Sequence, residues 1–350
     1  MQELQNPYNL SFGKIPQQYI SRPVQIDQII NTFEMEQPSS QVYMLTGVRG
    51  AGKTVVLTKV SEHFSKSADW IVLNLSSDTD ILKSAVDKLT NKSFLKKYLP
   101  DVDINVSVFG FSMAHKDSNF DADTLLRNYL EDLLKRNKKV LFVIDEMVKN
   151  EYTKLFASNF QIYLREGYPV YLLMAGLYEN ISNLQNEKTL TFLYRAPKVT
   201  LEPLNIPAMT ANYKEVFGFS TEKAIKMARL TKGYPFAFQT LGYLMWKNKG
   251  ESEKKILSEY DTYLSSYVYD KIWSELSIKD RKVVAVIAQG ITKTAEIRKH
   301  FNMSAQLLNV YRKRLSDQGI VSVTVHGSVT LALPRFENYI QVFGVIDEDL

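Results

Sequence analysis

Short β-rich apolar runs recur through the first part of the chain, at residues 42–45, 70–75, 140–144, 170–174 and 199–201. Each is strand-length, and stretches with apolar residues at helical spacing lie between them, at 54–64, 122–136 and 152–164. Strand and helix in alternation predict an α/β fold built on a parallel sheet. An insertion at residues 76–121 interrupts the repeat, and within it residues 103–113 alternate apolar and polar, as a strand pair or hairpin outside the core would.

Beyond this region the pattern changes. Residues 207–266 carry helical signals only, and the remainder reads as helices followed by two short strands. Ser277 starts a helix with Val283, Val284, Val286 and Ile287 on its apolar side; a second, short helix covers 294–301. Asn302-Met303 makes a turn, Ser304 caps a third helix from 305 to about 317, and Gly319 closes it. Residues 321–325 and 329–333 alternate around His326-Gly327, as two strands of a wing would. The whole predicts a winged helix-turn-helix, with Leu307, Leu308, Val310 and Leu315 as core contacts of the third helix. Three domains follow: an α/β core at 1–205, an all-helical domain at 206–268 and a winged-helix domain at 269–350.

Composition narrows the class. Hydrophobic residues make 45% of the chain and charged residues 23%, an ordinary soluble balance. The apolar runs are far too short to cross a membrane, and the N-terminus lacks the plan of a secretory signal, so a cytoplasmic protein is expected. With no cysteine, disulfides and thiolate metal sites are excluded, and the four histidines form no ligand pair. The net charge is +5, yet residues 271–320 alone hold ten basic and four acidic residues, an excess of six. A local basic excess of this kind suits a polyanion.

The chemistry is carried by Gly47-Val48-Arg49-Gly50-Ala51-Gly52-Lys53-Thr54, which follows the first apolar run. This G-x-x-x-x-G-K-T spacing is a phosphate-binding loop. Its glycines let successive backbone N–H groups turn inward on an anion, and Lys53 supplies a point charge for the β- and γ-phosphates. The Thr54 hydroxyl is placed for Mg²⁺, and the helix that begins here, through Val55, adds its positive end. A magnesium site needs a carboxylate from another buried strand. Val140-Leu141-Phe142-Val143-Ile144-Asp145-Glu146 offers one: Asp145 for the metal and Glu146 as general base for the attacking water.

Together these motifs resemble the AAA+ superfamily, in particular the archaeal-type and initiator-type ATPases related to origin-recognition and cell-division-control proteins. Three further segments carry the likeness. Ile20-Ser21-Arg22-Pro23 looks like the stretch that lines the adenine. Phe192-Leu193-Tyr194-Arg195 is similar to the segment whose arginine reaches a neighbouring subunit's nucleotide. Gly233-Tyr234-Pro235 resembles the lid turn of the signal-transduction (STAND) ATPases, which puts Pro235 beside the nucleotide. Two departures imply a turnover that is slow or dependent on a partner. Met174-Ala175-Gly176-Leu177 has no polar residue at the end of the fourth strand, and Pro235-Phe236-Ala237-Phe238 replaces the lid arginine of initiator relatives.

Several residues keep two readings. Arg195 is either a finger donated in trans within a self-associated assembly or a surface arginine. Arg49 contacts phosphate or forms a local salt bridge. Arg22 sits beside the base or serves as a cap or ion pair. On the third helix, Gln306, Asn309, Arg312, Lys313 and Arg314 are candidates for contact with double-stranded DNA, the alternative being a protein-docking face. The expected function is thus an ATP- and Mg²⁺-dependent ATPase that engages DNA through its winged helix; the alternative is a STAND-type switch whose winged helix docks a protein.

Overall fold

The computed structural model describes residues 5–11, 13, 15–91, 121–323 and 325–344; the alternating stretch 103–113 lies outside them. Contacts divide the chain into two units. One holds Pro23–Thr46 and Lys53–Thr200; the other holds Met1–Arg22, Gly47–Gly52 and Leu201–Leu350.

The first unit is a five-stranded sheet with helices. Its strands are β1 (Val42–Thr46), β2 (Trp70–Ser76), β3 (Lys139–Asp145), β4 (Val170–Gly176) and β5 (Lys198–Thr200), in the order β2-β3-β4-β1-β5. All pairings are parallel. Every residue of β1 and β4 is buried, as a sheet covered on both faces requires. The helices are α1 (Pro23–Glu34), α2 (Lys53–Phe64), α3 (Ile81–Thr90), α4 (Ala122–Lys135), α5 (Glu151–Arg165), α6 (Tyr178–Gln185) and α7 (Thr191–Arg195). Asp121 caps α4, and Asn150 with Thr153 forms a reciprocal capping box on α5, which fixes where each helix starts. The expected fifth strand begins one residue earlier than the run at 199–201.

The second unit is mostly helical: α8 (Ile206–Phe217), α9 (Thr221–Leu230), α10 (Pro235–Lys247), α11 (Glu253–Leu264), a π-helical turn (Ser265–Tyr269), α12 (Asp270–Glu275), α13 (Ile278–Ala288), α14 (Thr294–Phe301) and α15 (Ala305–Asp317). A hairpin of β6 (Val321–Ser322) and β7 (Thr330–Leu331) and a last helix, α16 (Phe336–Phe343), complete it. One continuous hydrophobic cluster runs from Tyr8 through Leu241 and Trp273 to Ile340, so the segments 206–268 and 269–350 share a core.

An N-terminal strap belongs to that core. Tyr8 is 1% exposed, stacked on Phe217 at 5.8 Å and edge-on to Phe238 at 5.7 Å. Its hydroxyl donates to Asn212 Oδ1 at 2.7 Å, while Asn6 donates to the Tyr243 carbonyl at 3.1 Å. The ring lies over Gly242, where a Cβ would stand 2.5 Å from Tyr8 Cδ1, so only glycine admits it.

Three sequence expectations need correction here. The wing strands are two residues long rather than five, because pairing stops at Val321↔Leu331 and Ser322↔Thr330; Val323 and Val325 are exposed. Leu307 and Val310 are not core contacts: α15 buries Leu308, Tyr311 and Leu315, spaced three and four apart, and turns Leu307 and Val310 outward. The hairpin is not the last element among the described residues, since α16 follows and packs Phe336 on Tyr269 at 4.8 Å. No helix among the described residues is long and apolar enough to cross a membrane.

Candidate functional site

Parallel strands deliver their C-terminal ends to one edge of the sheet, where ligands of such folds bind. β3 brings Asp145 there, and Glu146 follows it. α2 starts at Lys53, with Thr54 next. The Thr54 hydroxyl donates to Asp145 Oδ2 at 2.6 Å, and the Glu146 amide donates to Asp145 Oδ1 at 2.9 Å, so both carboxylate oxygens are oriented. A hydroxyl and a carboxylate in contact are a hard-oxygen pair of the kind Mg²⁺ takes, the rest of its shell coming from water and phosphate. No group of three His, Cys, Asp or Glu suited to a metal occurs among the described residues.

Glu146 has φ of +50°, a left-handed backbone that a non-glycine residue adopts only when its surroundings impose it. The constraint is visible. β2 pairs with β3 so that Ser76 faces Asp145, which sets Ser77 beside Glu146. The buried Ser77 hydroxyl donates to the Glu146 carbonyl at 2.9 Å, and the Ser77 carbonyl accepts from Asn150 Nδ2 at 2.8 Å. Asn150 is itself fixed as the cap of α5, and the Met147 amide is held by the Ala175 carbonyl at 2.7 Å. Sequence reasoning missed Ser77 and Asn150. The Asn150-to-Thr153 spacing carried a capping signal; Ser77 carried none.

Arg195 is the last residue of α7, where Leu193 is buried while Tyr194 and Arg195 are exposed. At the end of β4, Ala175 and Gly176 are buried and no polar side chain occurs there.

The segment Gly47–Gly52 groups with the helical unit. Gly50 has φ of +72°, and a Cβ there would come within 2.8 Å of Phe236 Cβ, so the position demands glycine twice over. The Phe236 amide donates to the Gly50 carbonyl at 3.2 Å, and the Tyr234 hydroxyl donates to the Arg49 carbonyl. Burial pushes the Tyr234 phenol well above its ordinary pKa, with Arg49 opposing. The Arg49 guanidinium forms a salt bridge with Glu275 at 2.9 Å. Arg22 Nη2 donates to the Ala51 carbonyl at 3.4 Å; burial lowers its pKa and Glu202 counteracts that. Pro235, first residue of α10, lies 4.0 Å from where a Gly52 Cβ would stand.

In the C-terminal segment, Asn302 takes a left-handed conformation between α14 and α15, and Ser304 accepts from the Leu307 amide at 3.1 Å to cap α15. Thr294 N donates to the Gly327 carbonyl at 2.9 Å and Val329 N to the Thr292 carbonyl at 2.8 Å, fastening the hairpin to the start of α14. Gln306, Asn309 and Lys313 are exposed and Arg312 is half-buried. Arg314 differs from the expectation of a free contact residue: Nη2 and Nε reach Asp280 Oδ1 at 2.5 and 3.2 Å. Asp280 is 3% exposed and also accepts from Ser277 Oγ at 2.6 Å. A buried carboxylate needs such a partner, so Arg314 holds α15 to α13.

Comparison with known proteins places these observations. Residues 266–340 match a family model described as a domain of unknown function (DUF8462), and residues 24–106 match that of mitochondrial ribosomal death-associated protein 3. No curated protein matches. The Walker-type ATPase PABY2304 of Pyrococcus abyssi superposes with a TM-score of 0.67 at 13% identity, over 92% of this chain and 95% of that one. The Aeropyrum pernix ORC2 protein, solved as ADPNP-ADP complexes, superposes with a TM-score of 0.59 at 16% identity, over 95% and 96%. At these identities the likeness is one of fold. The chain has the fold of the AAA+ P-loop ATPases.

Proposed function

We propose, from the premise of an AAA+ P-loop fold, that this protein binds ATP with Mg²⁺, hydrolyses it slowly, and engages double-stranded DNA through its C-terminal segment. The Thr54–Asp145 contact at the sheet edge, with Glu146 held next to it, is the observation that carries the first part. Backbone N–H groups of residues 47–52 and the Lys53 ammonium would hold the phosphates, with Arg22 and Pro235 toward the base and ribose. Thr54 and Asp145 would hold Mg²⁺, which supplies charge neutralisation at the phosphates. Glu146 takes the proton of the attacking water as the bond to the leaving diphosphate breaks. Arg195, exposed at the end of a short helix, is free to serve a second copy of the chain in trans. The missing polar residue after β4 is the reason to expect slow turnover.

The C-terminal part is read as a winged helix: three helices with a left-handed turn before the third, then a hairpin. Exposed Lys279, Lys293, Arg298, Lys299 and Lys313 give it the charge of a polyanion-binding face. ATP would act through the residue 47–52 segment, whose partners Phe236, Tyr234 and Glu275 lie in the helical unit. The same links, with the Gly233-Tyr234-Pro235 turn, favour a second reading as a STAND-type switch that docks a protein.

The test is calorimetry with ATP on two variants beside a turnover assay. Lys53→Ala should abolish binding, while Glu146→Gln should bind ATP as the wild type does and lose turnover. Equal ATP affinity for Lys53→Ala and wild type would sink the site. A steep fall of DNA affinity with salt supports the winged-helix reading over the protein-docking one.

A further inference from the structure

Helix α15 has more apolar residues than its inner face can hold. Leu308, Tyr311 and Leu315 are buried, at helical spacing, and define the inner stripe. The opposite side, one hundred degrees per residue around, carries Gln306, Asn309, Val310 and Lys313, with Leu307 on its flank. Val310 is 56% exposed and Leu307 43% exposed, in the first two turns of a helix whose N-terminal turns would reach base edges in this kind of module. Such exposure of two branched residues beside two carboxamides calls for a ligand with both apolar and amide-reading features.

The arginines are unavailable for that role. Arg314 is committed to the buried Asp280, and Arg312 lies half-buried toward the inner stripe. The commonest specific contact to a G·C pair, an arginine or lysine on guanine O6 and N7, therefore has no exposed donor in the first two turns, Lys313 standing in the third. What remains matches the other base pair. A glutamine or asparagine carboxamide pairs with adenine N6 and N7, and a branched apolar side chain packs on the thymine C5-methyl. The surrounding cations, Arg298 and Lys299 at the end of α14 and Lys313 a turn farther along α15, supply phosphate contacts without sequence preference. Charge complementarity thus names duplex DNA as the occupant.

We infer that the outer face of α15 reads A·T base pairs in the major groove, with Leu307 and Val310 packing on thymine methyl groups and Gln306 and Asn309 reading adenine. This rests on the reading of the C-terminal segment as a DNA-binding module.

Thymine methyls can be deleted without touching charge. The full chain would be titrated with fluorescent A·T-rich and G·C-rich duplexes of equal length, and with the A·T-rich duplex made with deoxyuridine for thymidine. A·T-rich DNA should bind roughly tenfold or more tighter than G·C-rich. Deoxyuridine should weaken binding roughly fourfold for each methyl lost from contact, at an unchanged salt slope. Leu307→Ser with Val310→Ser should bind the two A·T-rich duplexes equally; both positions are exposed, so the fold should survive, as circular dichroism would check. Wild-type binding indifferent to uridine, or stronger on G·C-rich DNA, overturns this inference and leaves the DNA reading standing. No binding to any duplex at low salt overturns that reading as well and gives the face to a protein partner.

Discussion

The two units of the molecule reach their candidate functional residues by different routes. In the sheet unit, Thr54, Asp145 and Glu146 stand where strands and a helix begin and end, so local sequence dictates their placement. In the helical unit, distant polar contacts fasten elements first, and the surface residues left over are the ones available to a partner. Tyr8 to Asn212, Tyr213 to the Phe238 carbonyl, Arg314 to Asp280 and the Arg335–Asp261 pair are such fasteners. The difference teaches that a strand-end site is written in the chain as a motif, whereas a helical face is defined by subtraction.

The largest test of that contrast removes a fastener outright. Tyr8→Ala deletes a fully buried ring and its hydrogen bond, and should destabilise the helical unit by about 3–5 kcal/mol. Chemical denaturation followed by probes in each unit would read it; equal loss in the sheet unit would break the contrast. Arg314→Ala leaves the buried Asp280 carboxylate without its cation and should cost about 3 kcal/mol, measured the same way. A cost under 1 kcal/mol would return Arg314 to the list of free cations. The smallest effect belongs to the sheet unit. Ser77→Ala should leave ATP affinity unchanged and slow turnover about tenfold, equivalent to about 1.4 kcal/mol, because the Glu146 backbone loses its clamp. Ser77→Thr should restore the rate. A raised KM with unaltered kcat would show that Ser77 does not position the base.

Much of the sheet unit was legible in advance. The run 140–144 ending in two acids predicted both β3 and the carboxylate at its tip, and the glycine-lysine spacing predicted the turn into α2. The left-handed backbone of Glu146 was not legible, since it arises from Ser77 and Asn150 in separate segments. The strap was invisible for the same reason: Tyr8 looks like any tyrosine until Gly242 makes room for it. On α15 the apolar pattern misled, because Leu307 and Val310 are as apolar as Leu308 and Leu315, and only the placement of α13, α14 and β6 decides which stripe faces in. The wing was overread, since alternation continues past the two residues that pair.

The strap also orders events during synthesis. Tyr8 leaves the ribosome 204 positions ahead of its hydrogen-bond partner Asn212. At roughly 5–20 residues per second that gap is on the order of 10–40 s. Within it the sheet unit, which closes at Thr200, is fully made. The nascent chain therefore carries a finished middle and a tyrosine ahead of it still waiting for its seat, so whatever attends this protein at birth must leave Tyr8 uncommitted until α10 arrives.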